Sequence, residues 1–318
     1  MALVTGLALI PAGGASATTN CSFTIAGTTM TLDGNCTTDS TIVVPDGYTL
    51  DGAGYTITAV DPSGGHFVGA VVANGGIVAH VTDVTVAASG LVNICDSGAN
   101  RLRGIMFDSA SGSITKTTVT GINQGPSGCQ EGNAIEVRNA PYDGTHPAPL
   151  SVLVKGNDIS AYQKTGIVAN GDVDVTIANN VVGASATQAN LAANSIQMGF
   201  GAMGTVTHNV VYGNQWLGVS DWAATAILVY AADGITISQN RIAGNSEIGI
   251  YFYADDGTID NNKVFDKGVD SATHDYDIGI GNYGDGNIFT NNKVNGFDDA
   301  YVGVDDIGTN KEIGQPSA

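Results

Sequence analysis

The sequence predicts an all-β chain wound as a parallel β-solenoid of about nine coils, and three observations carry that prediction. A short unit recurs along the chain: Val175-Thr-Ile-Ala-Asn-Asn180-Val-Val182 is echoed by Thr205-Val-Thr-His-Asn209-Val-Val211 and Ile235-Thr-Ile-Ser-Gln-Asn240-Arg-Ile242. Thr258-Ile-Asp-Asn-Asn262-Lys-Val264, Ile288-Phe-Thr-Asn-Asn292-Lys-Val294 and Val152-Leu-Val-Lys-Gly-Asn157-Asp-Ile159 belong to the same set, with degenerate members back to Ile57. The units return about every 30 residues, a period at which each repeat touches only its neighbours. Within a unit the pattern is β-branched alternation bounded by Gly, Asn and Asp, and no stretch keeps a 3.6-residue apolar period over three turns. Finally, 44 of 318 residues are glycine, about double the usual share, as many tight turns require.

Each element then has a reason. The Asn at a fixed place in each unit tolerates left-handed backbone geometry, so it is expected at the bend between two strands. Stacked coils would align Asn157, Asn180, Asn209, Asn240, Asn262 and Asn292 about 4.8 Å apart, each bonding the next. Another strand follows each unit, at residues 68–73, 103–108, 133–138, 165–170, 194–199, 225–230, 248–253, 278–283 and 300–305. Alternation along these strands places Ile105, Ile135, Ile167, Ile196, Ile227, Ile250, Ile280 and Val302 in one inward stack. The residues two further on form a second, with Asn282 its one polar member.

The opening Tyr48-Thr-Leu-Asp-Gly-Ala-Gly-Tyr-Thr-Ile57, the Asn-x-Val/Ile turns and the Gly-Ile-x-Val strands resemble the right-handed parallel β-helix superfamily of pectate-lyase-like proteins, across residues 40–310. The resemblance implies a right-handed helix and a substrate lying along an outward strand face. It does not choose among polysaccharide lyases, glycoside hydrolases, epimerases, esterases, tailspikes and adhesins.

Composition narrows the partners. Eleven Lys and Arg against 30 Asp and Glu leave a charge of −19, which argues against nucleic acid and against an anionic membrane surface. No run is long enough for a transmembrane helix. Residues 1–17 read as a secretory signal peptide, with Ala15-Ser16-Ala17 before the cut and no Lys or Arg ahead of the apolar run, which points to a truncated start. Residues 18–318 are read as one β-helix domain, monomeric and secreted. The four cysteines agree with export, paired Cys21–Cys36 and Cys95–Cys129 because sequential coils keep sequence neighbours close.

Chemistry is sought on the outward face of the second strand. One outward column reads Met106, Glu136, Val168, Gln197, Leu228, Tyr251, Gly281 and Gly303; the next reads Asp108, Arg138, Asn170, Gly199, Tyr230, Tyr253, Tyr283 and Asp305. Asp108 and Glu136 would stand about 8 Å apart on the diagonal, suiting an inverting glycosidase pair. Arg138 with Lys164 could instead serve uronate β-elimination. The plain alternative is a surface salt bridge between Asp108 and Arg138. Tyr230, Tyr251, Tyr253 and Tyr283 could stack on sugar rings or simply stabilise the face. Asp255, Asp256, Asp275 and Asp277 could hold Ca²⁺, act as acids and bases with His274, or form a solvated acidic pole.

The leading reading is a secreted protein that binds an extended polysaccharide and cleaves it, as a lyase or a hydrolase. The other is a non-catalytic adhesive solenoid. His66, His80, His146 and His208 stand apart from one another, and His208 is expected to be a turn residue.

Overall fold

The computed structural model describes residues 19–140, 150–187, 189–218, 222–267, 276–304 and 308–313. The expected signal peptide, His146, His274, Asp275 and Asp305 lie outside them. Among the described residues there is no α-helix, and the strands form three sheets of 11, 10 and 11 strands. Every pairing is parallel except the N-terminal hairpin of Phe23–Ala26 with Thr29–Leu32. One coil shows the plan. Leu150–Lys155 lies in sheet A, Asp158–Ser160 in sheet B and Thr165–Gly171 in sheet C, after which the chain re-enters sheet A one level on.

Side-chain alternation puts one face of each sheet inside. Val154, Ile177, Val206, Ile237 and Ile259 of sheet A, and Ile159, Val182, Val211, Ile242 and Val264 of sheet B, are fully buried. The isoleucine stack of sheet C runs in register from Ile105 to Ile280, as the repeat predicts. It ends one residue off the expected place: Ile280 pairs with Tyr301, not Val302, and Gly281 pairs with Val302, not Gly303. The Tyr301 ring turns inward because its hydroxyl reaches two carbonyls, Asn292 O at 3.1 Å and Lys311 O at 3.2 Å. The small residue before each isoleucine also has a packing cause. A Cβ at Gly249 would stand 2.4 Å from Val264 Cγ1 of sheet B, so this corner admits almost no side chain.

The asparagine ladder lies between sheets A and B. Each Nδ2 donates to the next Oδ1 at 2.9–3.0 Å, from Asn157 through Asn180, Asn209, Asn240, Asn262 and Asn292. It continues to Asn310, beyond the expected six. The second Nδ2 proton goes to a carbonyl of the preceding coil, and each backbone N–H also donates to the next Oδ1. The buried amides are therefore satisfied. The ladder residues do not, however, take the left-handed geometry expected of them. The residue before each does: Gly156, Asn179, His208, Gln239, Asn261 and Asn291 have φ between 54° and 69°. With the bend one position earlier, the Asn side chain can point inward along the stack.

Both disulfides match the expected pairing. Cys21–Cys36 ties the N-terminal hairpin to the first strand of sheet B, and Cys95–Cys129 joins the loops before two successive sheet C strands.

Candidate functional site

The outward face of sheet C divides into an ion-paired half and an aromatic half. In the first half, Asp108 pairs in register with Arg138, and Met106 with Glu136. Arg138 donates to Asp108 Oδ2 through Nε at 3.0 Å and Nη2 at 2.7 Å. Glu136, expected to face solvent, is only 3% exposed. Its Oε2 accepts from Arg103 Nε at 2.5 Å and from Asn133 Nδ2 at 2.8 Å, while Arg138 Nη1 lies 3.6 Å from Oε1. Arg103 begins the neighbouring strand and is itself buried. Its guanidinium is further fixed on the carbonyls of Arg101 and Gly98, at 2.7 and 3.1 Å. Asp108, Glu136 and Arg138 are thus brought together, but as a chain of charge-assisted bonds in which both carboxylates are engaged.

Lys164 goes elsewhere. Its Nζ donates to Ala192 O at 2.5 Å, and burial pulls its pKa down to about 8.

The aromatic half is continuous. Tyr230 and Tyr253 occupy register partners and stack with centroids 5.4 Å apart and an interplanar angle of 22°. Phe200 meets Tyr230 edge-on at 5.6 Å. Tyr283, expected above Tyr253, stacks on Tyr251 at 4.7 Å, and Tyr251 in turn lies 6.5 Å from Tyr253. The reason is Gly281, the register partner of Tyr251: a Cβ there would stand 2.7 Å from Tyr283 Cε2, so the ring fills the place of the missing side chain. Phe200, Tyr230, Tyr253 and Tyr283 are each 36–46% exposed, so the strip is reachable from solvent. Burial, then the neighbouring Tyr283, holds the Tyr251 hydroxyl above its ordinary pKa. Burial followed by Tyr276 and Asp299 does the same for Tyr283.

Two members of this surface, Phe200 and Tyr276, escape a reading by columns. Phe200 sits in the left-handed turn just after Gly199, with φ 55°, and Tyr276 precedes its strand. The signal in Phe200 was its adjacency to the column glycine.

Among the described residues, the acids beside the strip make local bonds. Asp255 Oδ1 accepts from Asp285 N at 2.7 Å, and Asp277 Oδ2 from Asp298 N at 2.7 Å. Asp256 is a turn residue with φ 55°. Among the described residues the one convergence of three metal-ligand types is Cys95, Cys129 and Glu131, and its sulfurs are in the disulfide. The remaining histidines are placed locally: His66 on Asp96 and His80 on Ser113, both at 2.8 Å, and His208 in its turn.

The family model described as "Right handed beta helix region" matches residues 142–311. Among solved structures, the Dettilon tailspike protein gp208 is similar over 84% of this chain and 55% of its own, with TM-score 0.51 and 15% identity. The enzymatically active domain of bacteriophage CBA120 tailspike protein 2 aligns over 91% of this chain and 42% of its own, with TM-score 0.48 and 9% identity. The periplasmic alginate epimerase AlgG aligns over 88% and 77%, with TM-score 0.46 and 12% identity. The chain therefore spans about half the length of the tailspike structures. At these identities the likeness is one of fold. No curated protein matches the chain in sequence.

Proposed function

We propose, from the premise that this chain belongs to the right-handed β-helix family, that it is an extracellular or periplasmic solenoid that binds an extended, uncharged polysaccharide along the aromatic half of sheet C. The observation that carries this reading is the unbroken, solvent-exposed run Phe200, Tyr230, Tyr253, Tyr251 and Tyr283, whose aromatic surface suits the apolar faces of pyranose rings. Acids flank the strip at Asp255, Asp256 and Asp285, offering acceptors to sugar hydroxyls and disfavouring an anionic polymer here. The two disulfides support an oxidising compartment.

Binding without cleavage is the reading favoured by Glu136. A general acid must give up a proton to the leaving oxygen, and this carboxylate is buried between two guanidinium groups. The test is affinity electrophoresis against a panel of soluble glycans, with reducing-end release followed in parallel. Retardation by a neutral glycan, lost in Tyr230→Ala/Tyr253→Ala, with no release of reducing ends, is the expected result. No retardation by any glycan would sink the binding reading. Turnover abolished by Asp108→Asn in a folded protein would restore the hydrolase or lyase reading.

A further inference from the structure

The outward face of sheet A carries a surface of another kind. Its parallel strands stay in register over ten levels, which sets two outward columns side by side. The first column runs from Thr29 to Ile288 and has Thr or Ser at seven of its ten positions. The second, two residues further along each strand, runs from Thr31 to Thr290 and has six of ten. The first column contains no Asp, Glu, Lys or Arg, in a chain with 30 acids. Strand propensity alone does not select hydroxyls, since valine, isoleucine and tyrosine suit a pleated surface as well as threonine does.

The grid is most regular through Thr176, Thr205, Thr236 and Thr258, with Thr207 and Ser238 beside them. All six are half-buried, while Ile177, Val206, Ile237 and Ile259, the next residues along, are fully buried in the core. Lys155 and Asp260 close the second column at the two ends of this stretch. Its spacing is fixed by the fold: strands repeat at about 4.7–4.9 Å, and residues two apart on a strand lie about 6.6 Å apart. At the end of each of these strands the Asn180–Asn209–Asn240–Asn262 ladder locks the pitch through bonds of 2.9–3.0 Å. Thr207 Oγ1 and Ser238 Oγ bond each other across the coils at 3.0 Å. Thr207 Oγ1 also meets His208 Nδ1 at 2.8 Å. β-Branching leaves threonine few rotamers to begin with. The hydroxyls are therefore ordered in advance, and little side-chain entropy is lost when a ligand docks on them.

We propose that this face binds ice. Its two spacings lie close to the two oxygen repeats on the prism face of hexagonal ice, so the hydroxyls can stand at lattice sites. The threonine methyl groups between them order the water they touch. Water held in that pattern merges with a growing crystal, and the front must then curve between adsorbed molecules, which lowers the freezing point. A charged column would impose its own hydration on the front, and the first column carries no such side chain. A sugar chain is served worse, because the strands of these four levels turn no aromatic ring outward. The face is on a different sheet from the aromatic strip, so the two readings stand or fall separately.

The experiment measures thermal hysteresis and inhibition of ice recrystallisation by the intact protein. The wild type is expected to show both and to shape the crystal. Thr205→Tyr/Thr236→Tyr keeps strand propensity but lifts the front off the grid, and hysteresis should fall several-fold. Thr85→Tyr/Thr118→Tyr makes the same change at register partners on sheet B and should leave hysteresis unchanged. Leu153→Thr/Lys155→Thr joins the grid to Ser113 and Thr115 and should raise it. Tyr230→Ala/Tyr253→Ala should have no effect. Circular dichroism melting checks that each variant is folded. Absence of both activities in the wild type, full activity in Thr205→Tyr/Thr236→Tyr, or an equal loss in the sheet B pair would each overturn the proposal. If the Thr205→Tyr/Thr236→Tyr chain does not fold, unchanged hysteresis in Leu153→Thr/Lys155→Thr overturns it alone.

Discussion

The ring of Tyr283 lies on that of Tyr251, centroids 4.7 Å apart, because residue 281 between them in the stack has no side chain. The strip therefore crosses from one outward column to the other, and a glycine two residues away decides where a tyrosine points. Gly281→Ala should evict the Tyr283 ring, since the new Cβ and ring atom Cε2 cannot share 2.7 Å. Neutral-glycan affinity is expected to fall about as far as in Tyr283→Ala, several-fold, with the thermal midpoint little changed because the ring is at the surface. Titration calorimetry on both variants checks it. An unchanged affinity in Gly281→Ala would remove Tyr283 from the binding surface.

The ladder predicts a sharper loss. Replacing Asn209 by Ala strips the acceptor from two buried donors of Asn180, its backbone N–H and its Nδ2, and the donor from Ile177 O. Each stranded buried group costs about 1–3 kcal/mol, so Asn209→Ala should destabilise by about 3 kcal/mol or more in denaturant unfolding. The neighbouring turn residue behaves differently. Gln239 holds φ 57°, so Gln239→Gly should be tolerated, whereas Gln239→Val should cost about 1–2 kcal/mol through a strained left-handed β-branched residue.

These two positions also mark what could be read in advance. The repeat of Asn-x-Val/Ile located the ladder and its bonding partners, because a one-per-coil amide stacked at strand spacing has little else to do. Which residue of the turn adopts positive φ was misplaced by one, since Asn is at home in either role and only the inward aim of the buried amide separates them. Register was legible wherever an isoleucine marked it and slipped at Tyr301, where a hydroxyl finds backbone carbonyls that a valine could not use. Glu136 shows the limit for the site. Alternation put it outside, but Arg103, at the start of the strand below, folds over it, and a buried ion pair between strands leaves no periodic trace.

That ion pair yields its own prediction. Arg103→Met leaves the buried Glu136 carboxylate with the Asn133 amide at 2.8 Å and, as its one cation, Arg138 at 3.6 Å, and stability should drop by about 3–5 kcal/mol, the usual penalty for breaking one side of a buried pair. The double variant Arg103→Met/Glu136→Met removes both charges and should recover most of the loss. A double-mutant cycle by urea unfolding reads it. Equal losses in the single and double variants would mean that packing, rather than the stranded charge, sets the cost.

Lys164 adds a pH dependence with a definite sign. Burial lowers its folded pKa from 10.5 to about 8, so the charged amine is disfavoured in the native state. Below pH 8 both states hold the proton, and the native state bears the full penalty, about 3 kcal/mol for a shift of this size. Between pH 8 and pH 10.5 the native amine is already neutral while the unfolded one is still charged. The unfolded state then binds more protons, and this group's contribution to stability rises with pH. Lys164→Met removes the titration at the cost of one hydrogen bond to Ala192 O. The stability difference between Lys164→Met and wild type should therefore shift in favour of wild type on raising the pH through this window. Buried Tyr162 and half-buried Tyr301, both pushed up to about 12, titrate alike in both proteins and cancel. Denaturant unfolding of the pair at several pH values measures the difference, and a pH-independent gap would place the Lys164 ammonium in water rather than against the sheet edge.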